Sequence, residues 1–199
     1  MAPVTPRERF RHELEPIKGS RFVATVVPVT DEAAARAIVG EIEAELRGAT
    51  HHCWALRLHR PALDRAVDAG EPSGSAGRPI LAALVGRDVV DACVVVSRWF
   101  GGTKLGVGGL VRAYGGAAAA LLDLAPLVPR VDTEAWIVEH GYEDGPAIER
   151  ALARLHVAVG AVEYGAAVRR RITVPVAEGE ALAAALRDAT AGRVHVQRR

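Results

Sequence analysis

Lysine is almost missing from this chain of 199 residues. Of its 25 basic residues only Lys18 and Lys104 are lysines, and the rest are arginines. Arginine forks bind carboxylate and phosphate bidentately, but beside such heavy Ala and Gly usage the preference reads equally as genome composition and assigns no function. A surplus of one charge sign is also lacking. With 25 basic against 24 acidic residues the formal charge is +1, which excludes a histone-like polycation and confines any anion site to a local patch. Cysteine is scarce too. Cys53 and Cys93 each lie in an apolar, strand-like run and read as reduced core residues, so a disulfide scaffold is excluded. No apolar run approaches the ~18 residues needed to span a bilayer, and Met1 to Leu14 carries Pro3, Pro6, Arg7, Arg9 and Arg11 without the apolar core of a secretory signal. The expectation is a soluble, cytoplasmic protein with no membrane partner. Half of its residues are hydrophobic, enough to build one or two domains without metal or disulfide.

After a charged leader, residues 20–29 are rich in β-branched side chains and predict a strand. Residues 31–47 repeat Ala34, Ile38, Ile42 and Leu46 at helical spacing, with Thr30 or Asp31 placed to cap them and Gly48 to end them. Residues 52–58 alternate as a strand, 63–75 read as a polar loop, and 76–85 as a short helix. The nearly continuous apolar run 91–100 predicts a central strand buried on both faces. A glycine-rich segment follows, with seven of the chain's 20 glycines within residues 101–116, and runs into an Ala/Leu helix ending near Leu124. Pro126 and Pro129 mark a stiff linker and a boundary that gives domains 1–128 and 129–199. Beyond it the order is strand 131–139, helix 144–155, strands 157–164 and 168–176, helix 178–189 and strand 193–197. That βαββαβ order is the ferredoxin-like arrangement of an antiparallel sheet with helices on one face. The fold class expected is α+β in two domains.

The glycine-rich segment leaves a buried strand and opens a helix, where backbone N–H groups and the helix dipole favour an anion. Walker A fails because Gly106 is followed by Val107, and the dinucleotide pattern fails because Val111 stands at its last glycine position. Charge supports an anion site: residues 92–122 contain no acid but include Arg98, Lys104 and Arg112. Gly101, Gly102, Gly106, Gly108 and Gly109 would bring backbone close to such a ligand, with Arg78 in support; the alternative is that they serve tight turns and helix packing. Arg112 could instead turn inward and pair with Glu71. The loop holding Glu71, Pro72, Ser73, Gly74, Ser75 and Gly77 is dense in turn residues. It offers no base beside either serine and no G-x-S-x-G, so a structural loop is expected rather than a hydrolase. On a strand His51 and Cys53 share one face and His52 takes the other, too few ligands for a metal site. Arg169 and Arg171 likewise share a face of their strand, as a solvated sheet surface or edge, or as a contact for acidic or RNA partners. No catalytic constellation and no cofactor site is readable.

Several stretches together resemble the IMPACT/YigZ family: residues 18–22 (KGSRF), His51-His52-Cys53 with Ala55, residues 70–79 (GEPSGSAGRP), and the run from Val94 through Gly101-Gly102 and Lys104 to Gly115. The family pattern usually has two acids before Gly70, where this chain has Asp68-Ala69, and often Tyr where Trp99 stands. The resemblance implies a ribosomal protein S5 domain 2-like N-terminal domain, a C-terminal domain similar to domain V of elongation factor G, and a role in regulating translation, in particular its initiation. Three functions are therefore carried forward. The first is a regulator that binds RNA, the ribosome or a translation-associated protein. The second is a small-molecule enzyme that cradles a phosphate or nucleotide on Gly101 to Gly109, and the third a protein-binding adaptor. A non-enzymatic, monomeric protein is the expectation.

Overall fold

The computed structural model describes residues 3–155 and 157–199, in two compact units divided between Arg130 and Val131. The reading of the leader reaches onto Met1 and Ala2, which lie outside the described residues. In chain order the first unit runs β1 (Val4–Pro6), β2 (Phe10–Ile17), β3 (Ser20–Pro28), α1 (Glu32–Glu45), β4 (His51–Leu58), β5 (Leu63–Val67), α2 (Gly77–Gly86), β6 (Ala92–Trp99), α3 (Val107–Leu124) and β7 (Leu127–Pro129). Five strands form one antiparallel sheet in the order β2-β3-β6-β4-β5.

The all-apolar strand β6 lies at the centre because both of its faces are covered. Val94 and Val96 pack under α2 and α3 with Phe22, Ile80, Leu84 and Tyr114, while Cys93 and Val95 pack under α1 with Ile42, Trp54 and Leu56. Each fully buried aliphatic or aromatic side chain contributes about 1.5–3 kcal/mol. The Asp31 carboxylate caps α1 by accepting from the Ala34 N–H at 2.7 Å. Both cysteines are buried free thiols, and burial pushes each up to about 12.

Four local expectations are corrected. The leader contains β1 and β2, and in β2 the residues Phe10, His12 and Leu14 turn inward while Arg11, Glu13 and Glu15 stay exposed. The supposed loop 63–75 begins with edge strand β5. The proline segment is not a free linker, because Leu127–Pro129 is β7 and pairs antiparallel with β1; Arg130 N–H also donates to the Pro3 carbonyl at 2.8 Å. The boundary therefore falls two residues beyond the expected one. Finally, α3 is one helix of 18 residues whose composition reaches membrane-like hydropathy. Its Leu110, Ala113, Tyr114, Ala117, Leu121 and Leu122 lie in the core, which accounts for that composition.

The second unit runs β8 (Thr133–His140), α4 (Gly145–Ala153), β9 (Ala158–Tyr164), β10 (Val168–Pro175), α5 (Gly179–Ala189) and β11 (His195–Arg198). Its antiparallel sheet has the order β11-β8-β10-β9, the ferredoxin-like topology expected from βαββαβ. Trp136, Val138, Ile172 and Val174 face Ile148, Leu152, Leu182 and Leu186 of the helices. The other sheet face is open.

Candidate functional site

The register of β6 decides the fate of Arg98. Two residues beyond Val96, it points to the same face and enters the layer between the sheet and α3. Its side chain is only 5% exposed, and a guanidinium so placed requires a partner. The partner is Glu71, itself 4% exposed: Arg98 Nη1 donates to Glu71 Oε1 at 2.6 Å. Tyr114 Oη donates to the same oxygen at 2.7 Å, and Arg98 Nη2 donates to Ser20 Oγ at 3.1 Å. The Arg98 guanidinium also lies within 6 Å of the Phe22 and Phe100 ring centroids. Burial drives the Tyr114 hydroxyl well above its ordinary value, so it keeps the proton that it donates to Glu71. Arg98 is thus removed from the expected cationic surface. The inward partner of Glu71 is Arg98 rather than Arg112, because the strand aims position 98 inward whereas position 112 lies on the exposed side of α3.

The loop between β5 and α2 is held from within. Asp68 accepts from the backbone N–H groups of Gly74 (2.8 Å), Ala76 (3.0 Å) and Gly77 (2.8 Å). Burial disfavours its charge, but those donors, helped by Arg78, hold its carboxyl below the usual carboxylate range. Ser75 Oγ donates to the Pro72 carbonyl at 2.6 Å and is buried; Ser73 is exposed. Gly77 abuts the Val67 backbone so closely that a Cβ would lie 2.4 Å from Val67 N. Ala69 has φ +44°, and its carbonyl accepts from His51 Nδ1 at 2.9 Å, which leaves Nε2 unprotonated 4.0 Å from Glu71 Oε1 in the neutral imidazole. His52 points the other way, with Nδ1 2.8 Å from Ser97 Oγ.

The glycines divide into two kinds. Gly101 presses on the β2–β3 turn, where a Cβ on it would sit 1.9 Å from the Gly19 carbonyl carbon, and a Cβ on Gly109 would lie 3.0 Å from Leu105. These two serve packing. Gly102 and Gly106 have φ of +86° and +72° with open space around them, and Gly106 starts α3 with no side-chain cap and no acid in the first turn. Gly108, in that first turn, has the Arg112 guanidinium beside it, 3.7 Å from where a Cβ would stand. A cation laid on a helix N-terminus opposes the dipole, so the arrangement calls for an anion. Lys18, at the tip of the β2–β3 turn, lines a shallow cleft with Leu105, Gly109 and Arg112, and the exposed Lys104 precedes Leu105 in the chain. Elsewhere in the unit Arg9 and Arg11 share Glu45, Arg21 has Glu13, Arg87 has Asp123 and Arg130 has Asp91. Among the described residues Lys18, Lys104 and Arg112 have no carboxylate within ion-pair distance. Arg78 is exposed in the first turn of α2, where its charge acts on Asp68. Sequence reasoning missed Lys18 as a site residue, although the rarity of lysine singles it out. It also missed Ser20, Asp68 and Tyr114, whose roles come only from contacts distant along the chain.

In the second unit Arg169 and Arg171 stand exposed on the open face of β10, an inner strand rather than an edge. Arg170 between them is buried against His140 and pairs with Glu149 at 3.0 Å.

Two family models match the chain, the Impact N-terminal domain over residues 18–122 and a domain of unknown function, DUF1949, over residues 138–193. The chain belongs to the IMPACT family. It is 33% identical over 186 residues to the IMPACT family member YigZ of Escherichia coli, covering 92% of this chain and 91% of that protein. It is 36% identical over 182 residues to an IMPACT family member of Thermus thermophilus, covering 91% and 99%. A crystal structure of a hypothetical protein superposes with a TM-score of 0.76 at 31% identity over 98% of this chain and 97% of that one. The Impact N-terminal model thus spans Arg98, Glu71 and Tyr114 as well as Lys18, Lys104 and Arg112.

Proposed function

We propose that this IMPACT family protein is a cytoplasmic, non-enzymatic regulator of translation that binds RNA, free or within the ribosome, through the phosphate backbone. The observation that carries the reading is the trio Lys18, Lys104 and Arg112, unpaired around the uncapped start of α3. Cations so placed neutralise phosphates without reading sequence. Family resemblance supplies the translational context, and the packing of Gly101 on Gly19 and of Gly109 on Leu105 argues against a phosphate-cradling enzyme built on Gly101 to Gly109.

The test is filter binding of single-stranded RNA, duplex RNA and ribosomal particles to the full chain at two salt concentrations. Replacing each of Lys18, Lys104 and Arg112 by Ala should weaken binding similarly for all sequences and lower the magnitude of the log K against log salt slope by roughly 0.7 to 0.9. Arg98→Met should instead cost about 3 kcal/mol of stability or more by stranding Glu71, and leave the slope unchanged. Unchanged binding in a folded triple Ala variant would overturn this site.

A further inference from the structure

Cross-strand register sorts the open face of the C-terminal sheet into rows. In the first row Glu163, Arg169, Glu139 and His195 stand side by side on β9, β10, β8 and β11. Arg169 therefore lies between two carboxylates one strand spacing away on either side, about 5 Å, whose field offsets its charge without an ion pair to either. The next row is Arg171, Ile137 and Gln197. The third begins with Thr173 and Ala135 and is continued by Arg199, whose N–H donates to the Ala135 carbonyl at 3.0 Å. Neither of these rows holds an Asp or Glu side chain. Arg171 and Arg199 stand diagonally across Ile137, and the concavity they line with Ala161, Gln197 and Arg198 is bounded on the first-row side by Arg169 and Glu163.

We propose that this end of the sheet is a second RNA contact, holding a single-stranded segment whose phosphates are met by Arg171 and Arg199 and whose bases lie on Ile137 and Ala161. The proposal rests on the RNA-binding reading above and adds a surface to it. Planar guanidinium groups match phosphate bidentately and stack on base faces, and a four-stranded sheet face suits unstacked bases. The acid-flanked first row repels phosphate, so the strand's path is confined to the Arg171–Arg199 end. An acidic peptide fits less well. Extended peptides dock by backbone hydrogen bonds to strand edges, whereas the unmet charge here lies on a face whose backbone groups are consumed in the ladder.

The experiment titrates a fluorescein-labelled oligouridylate with the full chain at several salt concentrations. The Arg171→Ala, Arg199→Ala double variant should bind about tenfold more weakly, with the slope reduced by about 0.7 per cation. The Glu139→Gln, Glu163→Gln double variant should act in the opposite sense, releasing Arg169 to tighten binding and steepen the slope by up to about 0.7. Circular dichroism checks that both are folded. Wild-type affinity in the double Arg variant, alongside lost affinity in the Lys18, Lys104 and Arg112 variant, would overturn this inference and leave the RNA reading standing. Absence of binding by the unaltered chain at low salt would overturn that reading first. Displacement by polyglutamate as effective as by unlabelled RNA would overturn the choice of RNA as occupant.

Discussion

The carboxylate of Asp68 fills the place that an external anion takes in a phosphate-binding loop, with three backbone N–H groups turned toward it. Its charge is thus part of the fold, and the sign of its pH dependence follows. A carboxyl held below its unfolded value of about 3.9 contributes stability that is fully present above that value and is lost as pH falls through the folded one. Urea unfolding should show Asp68→Asn about 2 kcal/mol less stable than the unaltered chain at pH 7, with the gap narrowing from about pH 4 downward. A gap independent of pH would mean that the charge contributes nothing. The neighbouring Ala69 has φ +44°, a conformation in which a short polar side chain such as Asn or Asp is better tolerated than alanine. At this scale the candidate site was only half legible. Counting charges along residues 92–122 finds Lys104 and Arg112 but cannot see Glu71, which reaches Arg98 from 27 positions away.

Among the elements, those that the sequence made plain are the ones with a face or two in the core: β3, β4, β6, all five helices and the C-terminal βαββαβ order. Of the strands it hid, β1 and β7 are three-residue strands that pair with each other, and β2 and β5 are the two edges of the five-stranded sheet. An edge strand carries charge on its open face to discourage further pairing, and that charge dilutes the period-two apolar signal. In β2 the exposed Glu13 meets Arg21 and Arg11 meets Glu45, so the masking residues are themselves partnered across elements. The glycine-rich connection between β6 and α3 was legible as a place but not in its division of labour. Gly101→Ala should cost about 3 kcal/mol or more, because its Cβ would collide with the Gly19 backbone. Gly102→Ala, strained only by its left-handed φ, should cost about 1 kcal/mol. Equal losses in urea titrations would show that the Gly19–Gly101 contact yields freely.

For the whole molecule, no hydrophobic cluster is shared between the units: two are built within the first and one within the second. A fragment of residues 131–199 should therefore fold alone, giving dispersed amide resonances with mixed helix and strand signals; a random-coil spectrum would show that its core needs the first unit. The first unit closes on itself in another way. Val4 pairs with Pro129 and Pro6 with Leu127, so the strand that enters the unit and the strand that leaves it are zipped side by side, open ends together. Tension applied between the start of the chain and the second unit is received at that open end. It loads the few β1–β7 hydrogen bonds one after another instead of shearing them all at once, together with the two that Val4 makes to Asp88 and Val90. The clasp gives way first, while the five-stranded sheet behind it carries no load until the last pair has parted. A machine that pulls this chain from its front thus meets a weak fastener before a strong one, and the strands that carry the Lys18–Arg112 cleft are the later to feel it.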